Sequence, residues 1–141
     1  FHRSNLQKYW TDFTQSSRTA LATGALYSGA DYVQAQRLRN VAGQATLRLM
    51  DTAVDFVVTP TVSGGARPLD VEMGELSEGL HTFFWNAVGF PAISIPMGCD
   101  ADGLPLGLQL AGSPFSEAHL ICLADWFQRH TGWHAMRPKA D

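Results

Sequence analysis

The stretch from Phe84 to Gly112, FWNAVGFPAISIPMGCDADGLPLGLQLAG, constrains the fold most. Two apolar runs, residues 92–97 and 104–110, flank a polar tetrapeptide, Asp100-Ala-Asp-Gly103. Apolar runs bounded by Asp and Gly predict two strands joined by a short loop and paired antiparallel. Gly103 stands last in that loop, where a residue without Cβ takes positive φ at little cost. Ile93 and Ile95 alternate with Ser94 and Pro96. Leu104, Leu106, Leu108 and Leu110 alternate with Pro105, Gly107 and Gln109. Side chains along a strand point alternately to opposite faces, so one face is bulky and apolar and the other small or polar. Such a pair packs one face on a core and brings the other close to a second backbone or a pocket.

The remaining chain supplies helices and one more strand. Tyr9, Trp10 and Phe13 predict one side of a short helix. Residues 18–29 are rich in Ala and Leu and predict a helix ending at or near Gly29. Asp31 then caps or begins a longer helix. There Ala35, Leu38, Ala42, Ala45 and Leu49 recur at helical spacing as an apolar stripe. Gly43 in that helix costs about 1 kcal/mol relative to Ala and marks close packing. Residues 55–60, DFVVTP, predict a strand apolar on both faces and ended by Pro60. Residues 62–77, with three Gly, one Pro and three acidic residues, predict a loop long enough to be functional. A short helix over 78–88 follows, with Ser77 as N-cap and Gly89 just past its end. Ser116 caps an amphipathic helix in which Leu120, Leu123 or Ala124, and Phe127 share a face. Gly132 ends it, and the tail from Trp133 is a surface extension. A strand directly after a helix indicates an α/β fold, and residues 1–141 read as a single unit.

Several function classes fall away. The net charge is −3, and no basic stripe with interleaved aromatics is present, so no direct nucleic-acid contact is expected. No apolar run approaches the roughly 20 residues of a membrane helix. Cys99 and Cys122 match no redox or zinc spacing and read as reduced thiols, which suits a cytoplasmic setting. His130 and His134 are four apart, but Gly132 breaks the helix between them, and no third ligand has suitable spacing; no metal or cofactor is expected. The first residue is Phe1 rather than Met, as expected of a piece of something longer.

The order Asn86-x-x-Gly89-x-Pro91-Ala92-x-Ser94-x-Pro96-x-Gly98, then Asp102-Gly103-Leu104-Pro105-x-Gly107-Leu108-Gln109, resembles the C-terminal part of the amidase-signature family. Pro114-Phe115-x-Glu117-Ala118, the late Trp133-His134 and Asp55-x-x-Val58-Thr59-Pro60-Thr61 fit the same pattern. The resemblance implies a mixed sheet flanked by helices. It also implies a parent that hydrolyses carboxamides through an acyl-enzyme, using a Ser nucleophile, a second Ser with a cis peptide bond and a Lys base. That Lys needs burial to be neutral near pH 7. This apparatus is not in the sequence. The only lysines are Lys8 and Lys139, and Ser63-Gly64-Gly65 is too short for the nucleophile loop. No catalytic residue is therefore assigned, and the chain alone is expected to be inactive. The segment Ala35-Gln36-Arg37-Leu38-Arg39 resembles Ala-Gln-Lys-Val-Arg of the amidotransferase-like members. There the final Arg reaches toward the substrate pocket, which implies Arg39 as a substrate-binding residue; a guanidinium fits a carboxylate in bidentate fashion. The plain alternative is a solvated helix Arg.

The implied partners are the upstream part of the same polypeptide and a small-molecule amide, with self-association of the isolated piece. Two alternatives stand beside this. One is an A-type component of an amidotransferase that works on aminoacyl-tRNA. The other is a non-catalytic scaffold or binding module. The aromatic run Phe83-Phe84-Trp85 reads as core with one exposed ring.

Overall fold

The computed structural model describes residues 2–66 and 81–137. The chain divides into two compact units, Phe1–Leu38 and Arg39–Asp141.

The first unit is helical. Helix α1 (Arg3–Tyr9) tightens into a single 3-10 turn, Trp10–Asp12. Phe13 is already extended, so it does not continue the helical side begun by Tyr9 and Trp10. Helix α2 (Gln15–Leu26) starts earlier than expected because Thr14 caps it: its Oγ1 accepts from Ser17 N–H at 3.3 Å. It stops at Leu26 rather than near Gly29, since Tyr27 turns extended. Gly29 instead opens helix α3 (Gly29–Thr52). Ser28 and Asp31 share the start of α3. Asp31 N–H donates to Ser28 Oγ (3.1 Å), and the Asp31 carboxylate accepts from Ser28 N–H (2.9 Å) and Ser28 Oγ (2.7 Å). This is a reciprocal capping box, with Asp31 as its inner member rather than the cap itself.

In the second unit, the end of α3 packs through a face one residue around from the expected stripe. Leu38 and Leu49 are 59% and 49% exposed, and Ala35 and Ala45 are exposed too. The covered residues are Gly43, Thr46, Leu47 and Met50, next to Ala42. An alanine buries so little apolar area that the alanine spacing did not outweigh Leu47 and Met50. The packing expected at Gly43 is present: a Cβ there would lie 3.9 Å from Val88 Cβ.

Strands β1 (Phe56–Pro60), β2 (Ala92–Cys99) and β3 (Pro105–Gly112) form a sheet of order β1-β3-β2, antiparallel at both pairings. Helices flank it, in accord with the α/β expectation. The β2–β3 loop is built by Asp100, whose Oδ1 accepts from Asp102 N–H (3.0 Å) and Leu104 N–H (2.8 Å). Gly103 closes it at φ 80°. A bulge interrupts the pairing between Pro96 and Gly98, and Gly98 takes φ 128° with the Trp133 indole packed over it. Residues 133–137 are exposed, in keeping with the expected surface extension, and Trp133–Ala135 forms a 3-10 turn lying on β2.

The register assigns the two faces. Ile93, Ile95, Leu108 and Leu110 point to helix α5 (Glu117–Thr131) and form a core with Leu120 and Ala124, edged by Phe56, Leu123 and Phe127. The predicted α5 face is the buried one. Ser116 precedes α5 without capping it, because its hydroxyl donates back to Ser113 O at 2.7 Å. The opposite face has a second core of Ala111, Met50 and Trp85, with Val54, Val57, Val88 and Phe90 around it. Helix α4 (Phe83–Val88) contributes Trp85 and ends where expected, at Gly89 with φ 78°. The helix begins later than the expected residue 78: His81 lies before it and Thr82, at φ −84° and ψ −26°, is its N-cap; the expected cap Ser77 and most of the 62–77 loop lie outside the described residues. Only Trp85 of the aromatic run is core. Phe83 and Phe84 are 58% and 43% exposed.

Candidate functional site

The second core covers only one end of its face of the sheet. Beyond Ala111 the same face continues as a polar row. Pairing sets Thr59 opposite Gln109 and Gln109 opposite Ser94, so these three stand side by side across β1, β3 and β2. The next position inward on β3 is Gly107, and the hydroxyls of Thr61 and Ser94 meet over it at 2.6 Å. A Cβ on Gly107 would come within 2.8 Å of Thr61 Oγ1 and 2.9 Å of Ser94 Oγ. The glycine is the condition for that contact.

Gln109 anchors the face. It is 3% exposed, and its Nε2 donates to Thr59 Oγ1 (3.1 Å) and to the carbonyl of His81 (3.0 Å). A buried amide needs such partners, since an unpaired one costs about 1–3 kcal/mol. His81 is thereby brought onto the sheet. Its N–H donates to Thr61 O at 3.2 Å, and its Nε2 lies 3.2 Å from Ser63 Oγ. Ser63, Gly64 and Gly65 continue from β1 past the hairpin turn, where a Cβ on Gly65 would collide with the Asp100 carboxylate. The arrangement sets hydroxyls and an imidazole on one face above the buried Gln109 amide, a set of groups suited to hydrogen-bonding a small polar molecule.

The alternation along β2 and β3 pointed to this polar face, but it did not bring in Thr59, Thr61, Ser63 or His81. Those come from outside the hairpin, and only pairing of β1 with β3 places them. Arg39 lies in α3 with its side chain exposed. It is Met50, eleven residues and about 16 Å further along the helix, that joins Trp85 and Ala111. Lys8 belongs to α1, its Nζ 5.0 Å from the Tyr9 ring; Lys139 lies outside the described residues. His130 Nδ1 donates to Trp126 O at 2.7 Å, and its ring stacks on that indole at 4.4 Å. Among the described residues no three His, Cys, Asp or Glu side chains are grouped to hold a metal ion. No described helix is long and apolar enough to cross a membrane.

The family model "Amidase" matches residues 3–121. The chain belongs to the amidase family. Among curated relatives, the A subunit of glutamyl-tRNA(Gln) amidotransferase from Thiobacillus denitrificans is 38% identical over 122 residues, covering 81% of this chain and 24% of that protein. A crystal structure of an amidase superposes with a TM-score of 0.83 at 21% identity, covering 93% of this chain and 32% of that one; at that identity it speaks for the fold alone. The native peptide amidase of Stenotrophomonas maltophilia gives 0.64 at 29% identity, covering 82% of this chain and 22% of that one. This amidase-family chain thus spans about a quarter of the length of the curated relatives it matches.

Proposed function

We propose that this chain is the C-terminal portion of one amidase domain, in a parent that converts a carboxamide to a carboxylate and ammonia or an amine. The observation that carries the proposal is the amidase match across residues 3–121. The acyl-enzyme forms on a Ser in the upstream part of the same polypeptide, and the 141 residues alone turn over no amide. The placement of Lys8 on an exposed helix supports this, because a neutral base Lys requires burial. No cofactor enters the reaction. The polar row on the sheet faces the small-molecule amide, and Arg39 binds its carboxylate or carbonyl. With Cys99 and Cys122 as free thiols, the setting is cytoplasmic.

The test is amide hydrolysis by this chain alone and by the polypeptide extended upstream. Turnover only in the extended form is expected; turnover by the 141-residue chain, lost on changing one of its serines, overturns the proposal. In the extended enzyme, Arg39→Ala should lower kcat/KM about ten- to hundred-fold, since a hydrogen bond to a charged group is worth roughly 1.5–3 kcal/mol. Arg39→Lys keeps the charge but not the planar fork and should fall in between. Unchanged kinetics would reduce Arg39 to a solvated helix residue.

A second reading, an A-type component of an amidotransferase, is favoured by the 38% identity to the Thiobacillus protein. Stable co-purification with partner subunits would select it over a free-standing amidase.

A further inference from the structure

We propose, on the reading above that this chain is the C-terminal portion of an amidase domain, that Phe115 is a docking anchor. Its ring seats in an apolar recess of the upstream part of the same polypeptide. The turn Ser113-Pro114-Phe115-Ser116 sets a side chain against its own backbone. Ser113 O accepts from Ser116 N–H at 3.1 Å and from Ser116 Oγ at 2.7 Å, and Phe115 takes φ 65°. Proline second and a positive φ third is the pattern of a type II turn, whose third position ordinarily holds glycine. A Cβ in left-handed backbone crowds the following carbonyl. No other non-glycine residue among those described has a positive φ. The Phe115 ring is also 96% exposed, so contacts within this chain do not offset the strain.

Packing on either side imposes the turn. Gly112 is buried at the end of β3, where a Cβ would meet Ser116 Oγ and lie 3.3 Å from Leu120 Cγ. Leu120 is itself held in the core with Ile95 and Leu110. Strand end and helix start are thereby pinned together, and a tight reversal connects them. Glycine at position 115 would meet that demand without strain. An aromatic residue there is explained by what its ring touches, not by the turn. Strain of this kind collects at sites that bind something. A ring on a fixed mount loses little freedom on docking, and an aromatic side chain buries about 150–250 Å² when covered.

The occupant follows from length and topology. The chain covers 24% and 26% of two curated relatives, so most of a domain of that size lies outside it. Strand β3, which delivers the turn, is central, and β1 and β2 flank it as edges. At this end of the sheet Phe56 pairs with Gly112, and Ala92 with Ala111. Neighbouring strands lie about 4.8 Å apart, so elements of a larger domain that meet either edge here come within reach of the ring. The upstream part is therefore the occupant, in preference to a second copy of the protein.

The test uses the full-length polypeptide, upstream part included. Phe115→p-benzoylphenylalanine places a photo-crosslinker at the ring, and mass spectrometry of the digested protein locates its partner. The expected result is an intramolecular crosslink to a peptide upstream of Phe1. A crosslink only within residues 1–141, a crosslink to a second copy, or none at all overturns the proposal. Thermal unfolding gives a second readout whose sign decides. For a seated ring, Phe115→Gly relieves the backbone yet lowers the melting temperature by at least about 2 °C, and Phe115→Ala, which keeps the strain, falls lower still. For a ring in water, Phe115→Gly melts above the unaltered protein and Phe115→Ala beside it, and that order also overturns the proposal. Amide turnover by the unaltered polypeptide is followed in parallel. Its absence counts against the amidase reading, while the crosslink still decides the role of Phe115.

Discussion

At Gly107 a single missing Cβ holds two edge strands together. Thr61 from the end of β1 and Ser94 from β2 share a hydrogen bond of 2.6 Å directly over it. Gly107→Ala places a methyl group 2.8–2.9 Å from both hydroxyl oxygens, so the bond must open or the strands must spread. Overpacking of this kind costs about 1–3 kcal/mol. Chemical denaturation should show that loss, and Thr61→Ala combined with Gly107→Ala should cost less than the two changes summed. Asp31 makes a second prediction at this scale. The Ser28 hydroxyl, and after it the Ser28 N–H, hold the Asp31 carboxyl below its ordinary value. A carboxylate with a lowered folded pKa stabilises above its unfolded pKa, and that contribution is lost as pH falls through the folded one. Acidification below the ordinary Asp range should therefore loosen the start of α3, and Asp31→Asn should remove that part of the pH dependence. Helicity followed by circular dichroism between neutral and strongly acid pH checks the sign.

Among the elements, α5 has the best defined attachment. Leu120 is 2% exposed and packs with Ile95, Leu110 and Ala124. Gly112 lets the strand approach it, since a Cβ there would meet Ser116 Oγ and lie 3.3 Å from Leu120 Cγ. Leu120→Ala should cost about 2–5 kcal/mol by lost burial and the cavity left behind. Thermal unfolding measures it, and a change below about 1 kcal/mol would mean that α5 is held elsewhere. Element identity was legible where the pattern was redundant: the hairpin combined alternation, a turn sequence and Gly103. It was less legible on α3. Its alanine-rich surface fits a helix turned either way, so periodicity alone left the packed face one residue off.

For the whole molecule, the apolar side chains left in water are informative. Leu26, Tyr27, Leu38, Val41, Ile121 and Trp126 are each more than half exposed, and Phe115 is 96% exposed. Scattered exposed apolar residues are ordinary, but this many large ones on a chain of 141 residues fit a partner surface. The isolated chain should self-associate and bind a hydrophobic dye, and addition of the upstream part of the polypeptide should suppress both. Light scattering showing a dye-silent monomer at high concentration would contradict this.

What the sequence determined by itself is local. The turn at Asp100 to Gly103, the end of α4 at Gly89, and the buried face of α5 follow from residue type and spacing over a few positions. The family was legible there too, because its motif is concentrated in the same hairpin. The tertiary structure alone decided which residues from far along the chain meet. Gln109 reaches Thr59, 50 positions earlier, and the carbonyl of His81, 28 positions earlier. No periodicity encodes such a meeting, because it depends on the order β1-β3-β2 and on the register of each pair. Slipping that register by one residue would send Gln109 into the α5 core and Leu110 onto the polar face, and burial of the apolar face forbids it.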